Sequence, residues 1–111
     1  MSKDTTTIPP QQELDSLLEH YQNGRHEDAE KLAILLTDQF PNHQLGWKVL
    51  AILLSQTGRL NEALVAGEKL VSLTPDDAEA HYNLSITLKW IGRMEEAEIS
   101  CKQAIALKPD Y

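Results

Sequence analysis

Cysteine is nearly absent: Cys101 is the only one in 111 residues, so no disulfide can close within the chain, and a reducing compartment suits it. Basic residues are scarce too, with ten Lys and Arg against seventeen Asp and Glu, a formal net charge of −7 and a pI near 4.9. Nucleic-acid affinity rests largely on clustered cations, so no nucleic-acid partner is expected. The longest apolar run, Val49 to Leu54, falls far short of the ~18 residues of a membrane span, so no membrane partner is expected either. The opening Met-Ser-Lys-Asp-Thr-Thr-Thr lacks the apolar stretch of an export signal, which makes the cytoplasm the expected location. Catalytic signatures are missing as well: there is no Gly-rich phosphate loop, no Gly-x-Ser-x-Gly, no His-Glu-x-x-His and no Cys-x-x-Cys. His20, His26, His43 and His81 show no metal-ligand spacing, so neither a metal nor any other cofactor is expected, and the chain reads as non-enzymatic.

What the sequence does have is a period. Gly24, Gly58 and Gly92 lie 34 residues apart, and each is followed by arginine (Arg25, Arg59, Arg93), then alanine (Ala29, Ala63, Ala97), and finally proline (Pro41, Pro75, Pro109). Each unit therefore predicts two helices. Helix A ends just before the glycine, which supplies a left-handed residue, and helix B ends before the proline, which cannot continue it. The A helices are expected near 10–23, 44–57 and 78–91, the B helices near 25–39, 60–73 and 94–107, within units 10–43, 44–77 and 78–111. Residues 1–8, polar and threonine-rich, are expected to be a disordered lead.

Spacings of three and four place Leu84, Ser85 and Leu88 on one stripe of the last A helix and Ala97, Cys101 and Ala104 on the facing stripe of the last B helix. Small residues recur where the paired helices must approach, Ala51 opposite Ala63 and Ser85 opposite Ala97. Cys101 falls 34 residues after Gly67, in a slot that takes only small side chains, and is expected to be packed there rather than reactive. Glu27-Asp28 and Glu95-Glu96 open B helices, where negative charge favours the positive end of the helix dipole, so these acidic pairs read as structural.

The two ends of the chain depart from the pattern. In the first unit Leu14, Leu17, Leu18 and Tyr21 lie one position nearer the glycine than Trp47, Leu50, Ala51 and Leu54 do, which reads as an N-terminal cap with a shortened turn. At the other end, helix B of the third unit carries Ile99, Cys101, Ala104, Ile105 and Leu107 with no helix A to follow, so association with a second copy through the C-terminal repeat is expected.

A 34-residue period carrying Gly, Arg, Ala and Pro in fixed register resembles the tetratricopeptide repeat over about residues 10 to 109. The resemblance implies an all-α, right-handed α-solenoid of three helix-turn-helix units, six helices in all, acting as a scaffold or adaptor that binds a protein or peptide partner. In that family the A helices line a concave face. The second, fifth, sixth, ninth, twelfth and thirteenth positions of each unit point to ligand, here Leu45, Lys48, Val49, Ile52, Ser55 and Gln56, then Glu79, Tyr82, Asn83, Ile86, Lys89 and Trp90. Of these, Lys48, Ile52, Tyr82, Asn83, Ile86, Lys89 and Trp90 form the expected peptide-binding groove, with the lysines attracting acidic groups. Tyr82, Ile86 and Trp90, four apart, make an apolar stripe that either anchors a ligand or packs on the neighbouring A helix. Asn83 offers a donor and an acceptor to a peptide bond, as in the asparagine ladder of O-linked N-acetylglucosamine transferase, whose array this one resembles. A substrate-presenting arm of a larger transferase and a self-assembling repeat module are the alternative readings.

Overall fold

The structure, a computed structural model, describes residues 8–110, so the expected lead at 1–8 lies outside the described residues except for Ile8. Six helices follow in chain order: α1 (Gln11–Gln22), α2 (His26–Gln39), α3 (Gln44–Gln56), α4 (Leu60–Leu73), α5 (Ala78–Ile91) and α6 (Met94–Leu107). Successive helices pack as hairpins, and each hairpin stacks on the one before, giving an elongated all-α array 45 × 27 × 25 Å. Among the described residues no helix is long and apolar enough to cross a membrane.

The period of the sequence becomes a period of backbone geometry. Gly24, Gly58 and Gly92 have φ of 76°, 79° and 98°, a region that L side chains rarely enter. In each turn the following arginine N–H donates to the carbonyl five residues earlier: Arg25 to His20, Arg59 to Leu54 and Arg93 to Leu88, each at 2.9 Å. Because the first unit repeats this bond, its turn has full length, and the expected shortened turn is absent. What differs is the face of α1 that is used. Leu17, fully buried, occupies the register position of Ala51 and Ser85, and the upstream face of α1 is left to exposed Gln12, Asp15 and Glu19. Among the described residues no hairpin packs before α1, and its buried Leu14 and Leu17 belong to the core shared with α2, α3 and α4.

Helix starts repeat as well. Glu27 and Asp28, Glu62, and Glu95 and Glu96 lie in the first turns of α2, α4 and α6, at the positive end of each helix dipole. The A helices are capped by side chains instead: His43 Nδ1 accepts from Leu45 N–H at 3.3 Å, and 34 residues later Asp77 Oδ1 accepts from Glu79 N–H at 3.0 Å. Just before these caps the chain turns at Pro41 and Pro75, whose carbonyls are met by the fourth residue of the next A helix. Trp47 Nε1 donates to Pro41 O at 2.8 Å, and His81 Nε2 bonds Pro75 O at 2.7 Å. A carbonyl only accepts, so the hydrogen of His81 is on Nε2. This shared bond explains why a histidine can take the place of the tryptophan.

The core follows the small residues. Ala29, Ala63 and Ala97 are buried at the hairpin crossings, with Ala51 and Ser85 buried on the facing helices. Between hairpins the approach is closer still: a Cβ on Gly67 would lie 3.3 Å from Leu84 Cδ1, and one on Gly46 would lie 3.0 Å from Thr37 Cγ2. The slot shared by Ala33, Gly67 and Cys101 is buried in its first two copies but half-open at Cys101, where no helix among the described residues packs on the far side of α6. On that last helix Ala104 is fully buried against α5, while Ile99, Ile105 and Leu107 are exposed.

Candidate functional site

The side-by-side A helices α3 and α5, with α4 beneath them, enclose a concavity of about 210 Å³. Its floor is low because Ala51, Gly67 and Ala80 contribute almost no side chain, and its walls carry Lys48, Ile52, Ser55 and Gln56 from α3 and Asn83, Ile86 and Thr87 from α5. Lys48, Ile52, Asn83 and Ile86 are thus brought together. Tyr82 and Lys89 face the other way along α5 and, with Ile86, line a second concavity of about 370 Å³ toward α6. Trp90, 72% exposed, lines neither. The stripe of Tyr82, Ile86 and Trp90 is therefore divided between two surfaces.

The polar groups of the first concavity differ in what they have left to offer. Lys48 Nζ lies 3.0 Å from Glu79 Oε1, across the joint between the second and third units, so its charge is already answered within the chain. Lys89 is exposed, and no carboxylate pairs with it among the described salt bridges. Asn83 is half-buried on the wall, and its backbone carbonyl accepts from Thr87 Oγ1 at 3.3 Å. Side-chain hydroxyls of Ser85 and Thr87 are turned back onto the α5 backbone, at Tyr82 O and Asn83 O. Val49, at the groove position equivalent to Asn83, is instead buried in the core shared by the first two units.

Thr87, Ala80, Gly67 and Leu70 also line the concavity and were not among the expected groove positions. The signal for them was present in the period: Ala80 and Thr87 are the third and tenth residues of helix A, Gly67 is the small slot of helix B, and Leu70 lies three residues further along that helix. On the opposite, convex side lies a third concavity of about 400 Å³, between α2, α3 and α4, bordered by Ile34, Trp47 and Val65. The Arg59 guanidinium spans its edge with two nitrogens on Glu30, at 2.7 and 2.5 Å. That hydrogen bonding holds the Glu30 carboxyl below the usual carboxylate range and raises Arg59, with partial burial opposing both shifts. Among the described residues no group of three or more His, Cys, Asp and Glu could hold a metal ion.

Stacked helical hairpins with a low-floored concave face and no cluster of reactive groups define a repeat-array protein. The tetratricopeptide repeat family model matches residues 78–111, so the third unit is a tetratricopeptide repeat, and the array has the fold of tetratricopeptide solenoids. Among solved structures, MamA (residues 41 to the end) from Desulfovibrio magneticus RS-1 superposes with a TM-score of 0.84 at 20% identity, over 93% of this chain and 58% of that one. The O-GlcNAc transferase of Thermobaculum terrenum (K341M mutant) superposes with a TM-score of 0.83 at 24% identity, over 96% of this chain and 21% of that one. MamA of AMB-1 gives 0.77 at 25% identity, over 83% of this chain and 54% of that one. The chain thus spans little more than half of these two MamA structures and about a fifth of the transferase. No curated protein matches it in sequence.

Proposed function

We propose that the array is a protein-interaction module that holds an extended segment of another protein in the concavity between α3 and α5. The observation that carries this reading is the wall itself: Asn83 shares it with two isoleucines, Ile52 and Ile86, above a floor kept low by Ala51, Gly67 and Ala80. An amide in that position pairs with a peptide bond whatever its sequence, while the isoleucines favour an apolar side chain. Glu79 answers Lys48, the one cation that lines this concavity, and Lys89 opens toward α6, so the groove sets no preference for acidic groups. The net charge of −7 supports a polypeptide rather than a nucleic-acid partner.

Binding to a peptide library displayed on a surface, compared between wild type and Asn83→Ala and Ile86→Glu, tests the reading. Selected peptides should bind each variant roughly tenfold or more weakly, given the cost of truncating a central contact. Equal binding by wild type and both variants would remove the groove from consideration.

The fold shared with the Thermobaculum terrenum O-GlcNAc transferase supports a second reading, in which the array presents a substrate to a transferase domain. A downstream reading frame encoding such a domain would favour it over the adaptor. Association of two copies would use the exposed apolar residues of α6, Ile99, Ile105 and Leu107.

A further inference from the structure

The concavity on the convex side shares no residue with the groove, and it lies between the first two units, so the chain itself supplies its floor and both of its flanks. Its lining is mostly apolar. Buried Leu50 and Leu54 of α3 form the floor, while Ile34 of α2 and Val65 of α4, both exposed, border it from the two B helices. Trp47 borders it as well, and because its Nε1–H is taken by Pro41 O, the ring offers the concavity only carbon surface.

The period indicates what such a space accepts. Thirty-four residues after Leu50, Leu54 and Ala63 stand Leu84, Leu88 and Ala97, and at that second joint they form one buried apolar cluster with Leu64. The residue equivalent to Leu64 at the first joint is Glu30. A carboxylate placed among leucines would give up its water without a partner, and Glu30 reaches instead to Arg59, whose two terminal nitrogens both bond its oxygens. The place that a leucine side chain fills at the second joint is therefore open at the first, as a concavity of about 400 Å³.

The rim adds a requirement of charge. Two carboxylates, Glu30 and Glu62, border the concavity with one guanidinium, Arg59, which leaves one negative charge over. Arg59 is committed to Glu30 and, through Nε, to Thr57 Oγ1 at 3.1 Å, so the exposed Glu62 carboxylate is the group that an incoming cation meets. A second copy of this chain, at a net charge of −7, would approach this rim with charge of the same sign. We propose that the convex concavity is a second docking site, separate from the groove, for a basic segment of another protein. The segment seats a leucine side chain over Leu50 and Leu54, between Ile34 and Val65, and sets a Lys or Arg next to that leucine against Glu62.

The probe is a surface-displayed library of short peptides with leucine fixed at the centre and every other position random, selected on the full chain. Peptides retained by wild type carry Lys or Arg beside the leucine. Val65→Asn, a change at an exposed position, weakens them roughly fivefold or more by removing part of the apolar flank, while circular dichroism reports the fold intact. Glu30→Leu copies the second joint, fills the concavity from within and abolishes binding. Selection repeated on Glu62→Arg turns the preference beside the leucine from cations to Asp and Glu, which a merely structural role for Glu62 would not do. These peptides bind Asn83→Ala as they bind wild type, whereas peptides held in the groove do not, so the two surfaces stand or fall separately. Selected peptides without cations beside the leucine, binding that survives Glu30→Leu or ignores Val65→Asn, or a selection yielding only peptides sensitive to Asn83→Ala would each overturn the proposal. So would sedimentation showing a wild-type dimer that Val65→Asn dissolves, since the surface would then belong to a second copy.

Discussion

The joint between the first and second units and the joint between the second and third are built to one plan with different fastenings. Both stack an A helix on the preceding hairpin, and both tie the proline carbonyl to the fourth residue of that helix, Trp47 in one case and His81 in the other. The ion pair that crosses each joint changes side. In the first it is Arg59 with Glu30, beside the convex concavity, and in the second it is Lys48 with Glu79, beside the concave groove. Leu64 in place of Glu30 accounts for the switch, because it removes the carboxylate that Arg93 would have met. The array is therefore held by what recurs, the small-residue crossings and the carbonyl bond, while its charges are free to drift from unit to unit. Surface ion pairs contribute little to stability, which leaves them free to specify surfaces.

The largest expected effect probes the recurring element. Ala63 is fully buried at the middle crossing, whereas Ala97, its equivalent, borders the open C-terminal concavity. Ala63→Leu should overpack the crossing and destabilise the chain by roughly 1–3 kcal/mol, while Ala97→Leu can swing part of its side chain into the concavity and should cost less. Urea denaturation of the two variants checks the order. Equal losses would mean that the open end is closed in solution.

The fold was legible because a single period fixes glycine, alanine and proline together, and each of these acts through the backbone or through close approach, which neighbours cannot easily override. Helix limits accordingly fall within a residue or two of their expected places. The groove was legible in part. Lys48, Ile52, Asn83 and Ile86 share a concavity, but Tyr82 and Lys89 open onto the next one and Trp90 onto neither. A position within one helix determines its face, whereas membership of a cavity depends on the neighbouring hairpin, and among the described residues α5 has a neighbouring A helix on one side, α3. The replacement of Trp47 by His81 at the same position was legible, but the pairing of Lys48 with Glu79 and the bond of each ring to a proline carbonyl were not, since each depends on a contact across a joint.

A smaller effect separates the two carbonyl bonds. His81 is 5% exposed, whereas Trp47 is only half-buried, so loss of the donor should matter more at the second joint. His81→Leu should cost on the order of 1–2 kcal/mol and Trp47→Phe about 0.5–1 kcal/mol, since an unmet acceptor costs most where water is kept away. His81→Gln, whose amide N–H can reach Pro75 O, should recover part of the loss. Thermal melts of the three variants provide the check, and a His81→Gln variant no better than His81→Leu would show that packing, not the hydrogen bond, selects the histidine.

The smallest expected effect is a pH dependence confined to the first joint. Arg59 holds the Glu30 carboxyl below its ordinary value of 4.5, so the folded state binds that proton less readily than the unfolded one. For a carboxyl lowered in the folded state, the stabilisation is fully present above the unfolded value and is lost as pH falls through the lowered folded value. Wild type should therefore exceed Glu30→Gln in melting temperature at neutral pH, and the gap should narrow as pH drops below 4.5 and close under more acidic conditions. Added salt should narrow the gap at neutral pH, because the pair lies at the surface. The corresponding substitution at the second joint, Leu64→Gln, removes an apolar side chain and should lower stability by an amount that does not follow this titration. If the gap between wild type and Glu30→Gln is flat from neutral pH into acid, the Arg59 pair does not form in solution, and the contrast between the two joints reduces to Leu64 alone.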